Sequence, residues 1–149
     1  MSNLNASAEV AVLGSIDPDA YTAATYTSGW VDLQDWYKAL AIIQAGTLGT
    51  SATIDAKIEQ ATDGSGTGAK DVSGTSITQL TQAGTDSDKQ VLINIGTEDL
   101  DYNNSFRFVR ISLTVGTATS DAGALLLGLS PRYGAANAND AATVDEIVG

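Results

Sequence analysis

Carboxylates are the only acid–base groups this chain holds in quantity. It has 18 Asp and Glu against 7 Lys and Arg, with no His and no Cys. The usual neutral-pH general base, the commonest metal ligand and the thiolate nucleophile are therefore all missing. The acids nearest to clusters are Asp32/Asp35, Asp86/Asp88 and Asp99/Asp101. Glycosidase chemistry needs two carboxyls held at a defined separation across a sugar, and closeness in sequence does not supply that separation. Each pair sits in or beside a turn, where Asp is favoured because it accepts hydrogen bonds from neighbouring backbone N–H groups. Turn chemistry is the expectation, with no catalytic residue and no enzyme activity. Asp86-Ser87-Asp88 and Glu98-Asp99-Leu100-Asp101 offer oxygens of the kind Ca²⁺ takes, yet neither has the order of an EF-hand loop. Gly64, Gly66 and Gly68 precede no Gly-Lys-Ser/Thr and no helix, so they read as a hairpin tip rather than a phosphate cradle. No metal and no cofactor are expected.

Binding is the better prospect. Arg107 and Arg110 lie on opposite faces of one alternating run, Phe106 to Leu113. With Val109, Ile111 and Leu113 inward, Arg110 points outward, either as a stem packed on aromatics with its head in water or as an interface arginine. Trp30, Trp36 and Tyr37 fall close together. Large aromatics at strand ends serve as core or interface anchors; exposed, they stack on sugars. Val10, Val12 and Ile16 fall at even spacings and suit a strand added to an exposed sheet edge. The interface candidates are thus Val10, Val12, Ile16, Trp30, Trp36 and Arg110.

The elements that must position these residues are strands. Thr53 to Gln60 alternates, with Ile54, Ala56 and Ile58 on one side and Asp55, Lys57 and Glu59 on the other. Val91, Ile93 and Ile95 repeat this against Leu92 and Asn94. Lys38–Gly46 and Gly123–Leu129 are apolar on both sides, as strands are when they lie centrally or face a second subunit. With turn residues between the runs, eight strands are expected near 26–33, 37–45, 53–61, 69–72, 75–82, 89–95, 106–115 and 123–130. That is an all-β antiparallel sandwich, jelly-roll-like, with its core on Ile54, Ile58, Val91, Ile93, Ile95, Val109, Ile111 and Leu113. Residues 1–25, poor in large apolar side chains, read as an N-terminal arm, 26–133 as the sandwich and 134–149 as a C-terminal tail. The arm, with Leu4, Val10, Val12, Leu13, Ile16 and Tyr21, is expected to order on a partner or a sister subunit.

A formal charge of −11 with scattered cations argues against nucleic acid, whose phosphates demand clustered Lys and Arg. The longest apolar run, Gly123 to Leu129, falls far short of the ~20 residues that cross a bilayer, so no membrane partner is expected.

Ser28-Gly29-Trp30-Val31-Asp32, the run from Lys38 to Gly49, the run from Ala52 to Ala61, Phe106 to Gly116 and Ser130-Pro131-Arg132-Tyr133 together resemble a group of small tailed-phage and prophage virion proteins, across about residues 26–133. That group is similar to auxiliary head proteins, the decoration or cement subunits on the outside of capsids. The resemblance implies the major capsid protein as partner, a homo-oligomer, and a place on the outer capsid surface of a virion assembled in the host cytoplasm. Its alternative is a head-fibre or tail receptor-binding module that stacks a host glycan on Trp30 or Trp36.

Overall fold

The computed structural model describes residues 5–149; Leu4 and the rest of the first four residues of the expected arm lie outside them. Ten strands follow one another among the described residues: β1 (Val10–Tyr21), β2 (Ala24–Thr27), β3 (Val31–Asp32), β4 (Trp36–Ala45), β5 (Thr53–Ala61), β6 (Lys70–Asp71), β7 (Leu80–Thr81), β8 (Gln90–Gly96), β9 (Phe108–Gly116) and β10 (Ser120–Pro131). All pairings are antiparallel. The first sheet runs β1-β10-β4-β8 and the second β2-β9-β5-β6, with β3 also on β9 and β7 also on β5. Counting β2 with β3 and β6 with β7 as single lines leaves eight. The first line then lies beside the last in one sheet, and the second beside the last but one in the other. That order is a jelly roll.

Alternation explains why the sheets close on each other. On β5 and β9 the inward residues Ile54, Ile58, Val109, Ile111 and Leu113 are fully buried. Facing them, β4 and β10 present mainly small residues, Ala39, Ala41 and Ala45 with Ala122 and Ala124, around Ile43 and Leu126. Small side chains on one inner face leave room for large ones on the other, as close packing requires. Gly128 belongs to this fit: a Cβ there would fall 2.7 Å from the Trp36 ring and 2.8 Å from Leu13. Of the eight forecast core residues all but Val91 are buried, and Val91 packs against the core cluster.

The arm is the main correction. Residues 10–21 are not free chain but β1, an edge strand held on β10 from Val10↔Leu129 to Tyr21↔Ser120. The expected strand addition occurs, but onto the chain's own sheet. Register shifts between Val12 and Gly14 and between Ile16 and Asp19 break the period of two that would have revealed the strand, and Pro18 sits where a strand tolerates it, at an edge. Its outer side is closed by the C-terminal tail. The Val12 N–H donates to Asp140 at 2.8 Å and the Ala141 N–H donates to the Val12 carbonyl at 2.8 Å, while Ala136 is fully buried. Among the described residues no helix is long and apolar enough to cross a membrane.

Candidate functional site

The carboxylates singled out by spacing organise turns. Asp32 accepts from the Gln34 N–H at 3.0 Å, Asp86 from the Thr81 N–H at 2.9 Å and Asp99 from the Gly96 N–H at 2.9 Å. The Thr67 hydroxyl, at 2.6 Å, does most to hold the Asp63 carboxyl below the usual carboxylate range, helped by the backbone N–H groups of Thr67 and Ser65. The Thr81 N–H and then Lys89 do the same for Asp86, and Lys70 followed by Asn104 for Asp101. Among the described residues no three acids converge as a metal site would need.

Arg110 and Trp30 meet on the outer face of the second sheet. The Arg110 Nε donates to Glu59 at 2.7 Å and its guanidinium carbon stands 4.4 Å from the Trp30 ring centre. Lys57, beside Glu59, reaches Asp71 at 2.7 Å, and that hydrogen bond raises the Lys57 pKa. The glycine loop also packs against the indole. Gly66 has φ +83° and lies so close that a Cβ would come within 2.6 Å of the Trp30 Nε1. The hairpin tip therefore packs against the edge of Trp30, and glycine is required there both by φ and by space. This face satisfies itself: every outward charge named has a partner.

Trp36 is 2% exposed and Ile16 is also buried, so both are core residues, whereas Val10 and Val12 are half-buried on β1. The structure thus joins Trp30 with Arg110, and Val10 with Val12, but does not unite the six candidates into one surface.

A different surface was missed by the motif reading. Register aligns Ser15, Leu125, Ile42 and Leu92 in one row across the outer face of the first sheet, and Val12, Leu127, Leu40 and Asn94 in the next. Leu40, Ile42, Leu127 and Leu129 are half-buried, while Leu92 is 60% and Leu125 41% exposed. The signal lay in the sequence, since a leucine stands on the polar side of the Val91-Ile93-Ile95 alternation and β10 is apolar on both sides.

No family model and no curated protein matches the chain. Among solved structures it is similar to a carbohydrate-binding module of the CBM4 type, at 17% identity and a TM-score of 0.43, covering 76% of this chain and 66% of that one. It is also similar to a chain of broad bean stain virus (9% identity, TM-score 0.48, 91% and 94% covered) and to one of Triatoma virus (12%, 0.49, 87% and 68%). The chain spans just under two thirds of the CBM4 chain. These are likenesses of general architecture, which viral capsid proteins and carbohydrate-binding modules share, and they assign neither ligand nor assembly.

Proposed function

We propose that the protein is a structural virion subunit that docks on the outside of a tailed-phage head and cements it, with the major capsid protein as its partner, and that it performs no catalysis. The observation that carries this reading is the outer face of the β1-β10-β4-β8 sheet. Contiguous exposed aliphatic surface rimmed by polar residues marks a protein contact, and here Leu92 and Leu125 stand out on a rigid sheet between Gln44, Gln90, Asn94 and Lys38. Burying such surface contributes roughly 25 cal/mol per Å², and repetition of one weak contact over a lattice multiplies it through effective concentration. The likeness of residues 26–133 to auxiliary head proteins supports the choice of partner, and repetition over such a lattice suits a homo-oligomer on the outer capsid surface, assembled with the head in the host cytoplasm.

Purified heads lacking decoration, incubated with wild type and with a Leu92→Asp, Leu125→Asp double variant, test the proposal. Wild type should co-sediment with heads and stay bound at about 0.5 M salt, because an apolar contact is little screened; the double variant should remain folded and stay in the supernatant. Undiminished binding of the double variant removes this face from the mechanism.

A further inference from the structure

Trp36 is buried and Trp30 is engaged by Arg110 and the Gly66 loop, whereas two tyrosines stand free. Tyr133 is 75% and Tyr102 43% exposed, and both line an open cleft of about 680 Å³ with Gln34, Ser105, Arg107 and Arg132. That volume is within the range of roughly 300–1,000 Å³ typical of small-molecule sites.

Charge sets this cleft apart. No Asp or Glu lines it, although acids outnumber bases 18 to 7 in the chain. A second cleft of about the same volume, near the other ends of β4 and β10, is lined by Asp19, Asp88 and Asp121 with no cation. Lys57, Lys70, Lys89, Arg107 and Arg110 each pair with a carboxylate, Arg107 with Asp32 at 3.2 Å. Of the remaining two, Arg132 and the exposed Lys38, neither has a carboxylate within ion-pair reach among the described residues, and only Arg132 lines this cleft; its Nε is buried without a hydrogen-bond partner. Its position is nevertheless fixed. The guanidinium carbon stands 4.1 Å from the Tyr37 ring centre, and the backbone at this position is held by the Arg132 main-chain N–H donating to the Asp35 carbonyl at 2.8 Å. The molecule has thus ordered a guanidinium in a cleft and left its charge uncompensated.

From this we infer that the cleft between Tyr102 and Tyr133 binds a terminal acidic sugar, a uronic or sialic acid unit, with its carboxylate on Arg132 and its ring against the tyrosines. Guanidinium recognises a carboxylate through paired charge-assisted hydrogen bonds, and exposed tyrosine offers a flat apolar face with a polar tip. The other polar groups are chiefly donors or hydroxyls: the Gln34 amide, the Ser105 hydroxyl and Arg107. Neutral sugars, rich in hydroxyl donors, would find no carboxylate acceptor here. A polyanion such as nucleic acid meets only two cations on a chain of charge −11 and is disfavoured. This site goes beyond the docking reading and uses a different surface.

Calorimetric titration of the full chain with a glucuronic-acid-terminated disaccharide and with its glucose-terminated counterpart tests the inference. The acidic sugar should bind roughly tenfold more tightly than the neutral one, a margin typical of a charge-assisted pair. Arg132→Gln should lose about that factor, and Tyr133→Ala, at a side chain too exposed to matter for folding, should weaken binding several-fold. Equal binding of both sugars, no binding by wild type, or binding unchanged in both variants overturns the inference, as does tighter binding of a short acidic peptide. The Leu92→Asp, Leu125→Asp variant should keep the sugar and lose the heads, while Tyr133→Ala should keep the heads and bind the sugar more weakly, so failure of either reading is seen apart from the other.

Discussion

The two outer faces of this sandwich solve the same problem in opposite ways. On the second sheet, Lys57, Glu59, Asp71 and Arg110 alternate with inward aliphatics and pair with one another, and Arg110 and the glycine loop pack against Trp30. On the first sheet the central strands β4 and β10 are aliphatic outside as well as inside, with Leu40, Ile42, Leu125 and Leu127 outside and, around Ile43 and Leu126, mostly alanine inside. One face is finished within the chain; the other leaves Leu92 and Leu125 exposed. Fold alone does not produce this difference, since both sheets have the same pleat. It lies in which half of each alternation is spent on charge.

The largest effects should come from the shared interior. Ile111→Ala removes a fully buried side chain opposite the alanine-rich face, and little is near to collapse into the hole, so a loss of about 2–5 kcal/mol in denaturant unfolding is expected. Leu92→Ala, on the outer face of the other sheet, should stay within about 0.5 kcal/mol. Comparable losses at the two positions would mean that Leu92 is structural and that the first sheet's outer face is not free for a partner. Gly128→Ala should cost about 1–3 kcal/mol, because the added methyl meets the Trp36 and Leu13 side chains inside the core. A neutral or stabilising result would show that Trp36 can shift, and that the close approach of the sheets is less tightly set than the geometry implies.

A smaller effect tests whether the second sheet's outer face is self-sufficient. Arg110→Gln breaks the pair with Glu59 and the stacking on Trp30. For a partly exposed pair the expected loss is below about 1 kcal/mol, accompanied by a change in tryptophan fluorescence as the indole loses its cation. Head binding should not change. Loss of head binding in this variant would reverse the comparison and make the charged face the docking surface.

How much of this was legible follows from where the period of two survives. β5, β8 and β9 alternate cleanly, and their inward residues were identified from sequence with Val91 alone only half-buried. β4 and β10 showed themselves as central strands by being apolar on both sides. β1 was hidden, since Gly14, Ser15 and Asp17-Pro18-Asp19 interrupt its alternation at the two register shifts; the expected count of eight was reached instead by reading β6 and β7 as separate full strands. Of the interface candidates, Arg110 was placed on the outer face by one strand's parity, but its stacking on Trp30 was not legible, because the two come from different elements. The cleft was not legible. Gln34, Tyr102, Arg107 and Tyr133 come from separate turns, and only tertiary folding tells that Arg132 lacks the carboxylate partner its neighbour Arg107 has.

The mildest probe is pH, and it should act on one sheet before the other. The three carboxyls held below their ordinary range all serve the second sheet's edge. Asp63 orders the loop between β5 and β6, Asp86 holds the Thr81 N–H of β7, and Asp101 holds Lys70 of β6. A carboxyl whose folded pKa is depressed contributes stability above its unfolded value of about 3.9 and loses it as pH falls through the folded value. Nothing should therefore change between about pH 5 and 8, and the loss should set in below about pH 4. All three groups are partly exposed and sit in loops at this edge, so the effect should be local loosening of the segment from Asp63 to Lys89 rather than global unfolding. The first sheet has no equivalent carboxyl among these three, and its central strands β4 and β10 are held by neighbours on both sides. Pepsin, which is active in this range, should nick between Asp63 and Lys89 first and leave β4 and β10 intact. Asp101→Asn, which removes the charge that Lys70 holds, should bring that nicking on at higher pH. Simultaneous cutting in both sheets would show that the edge does not open alone and that the two sheets melt as one unit.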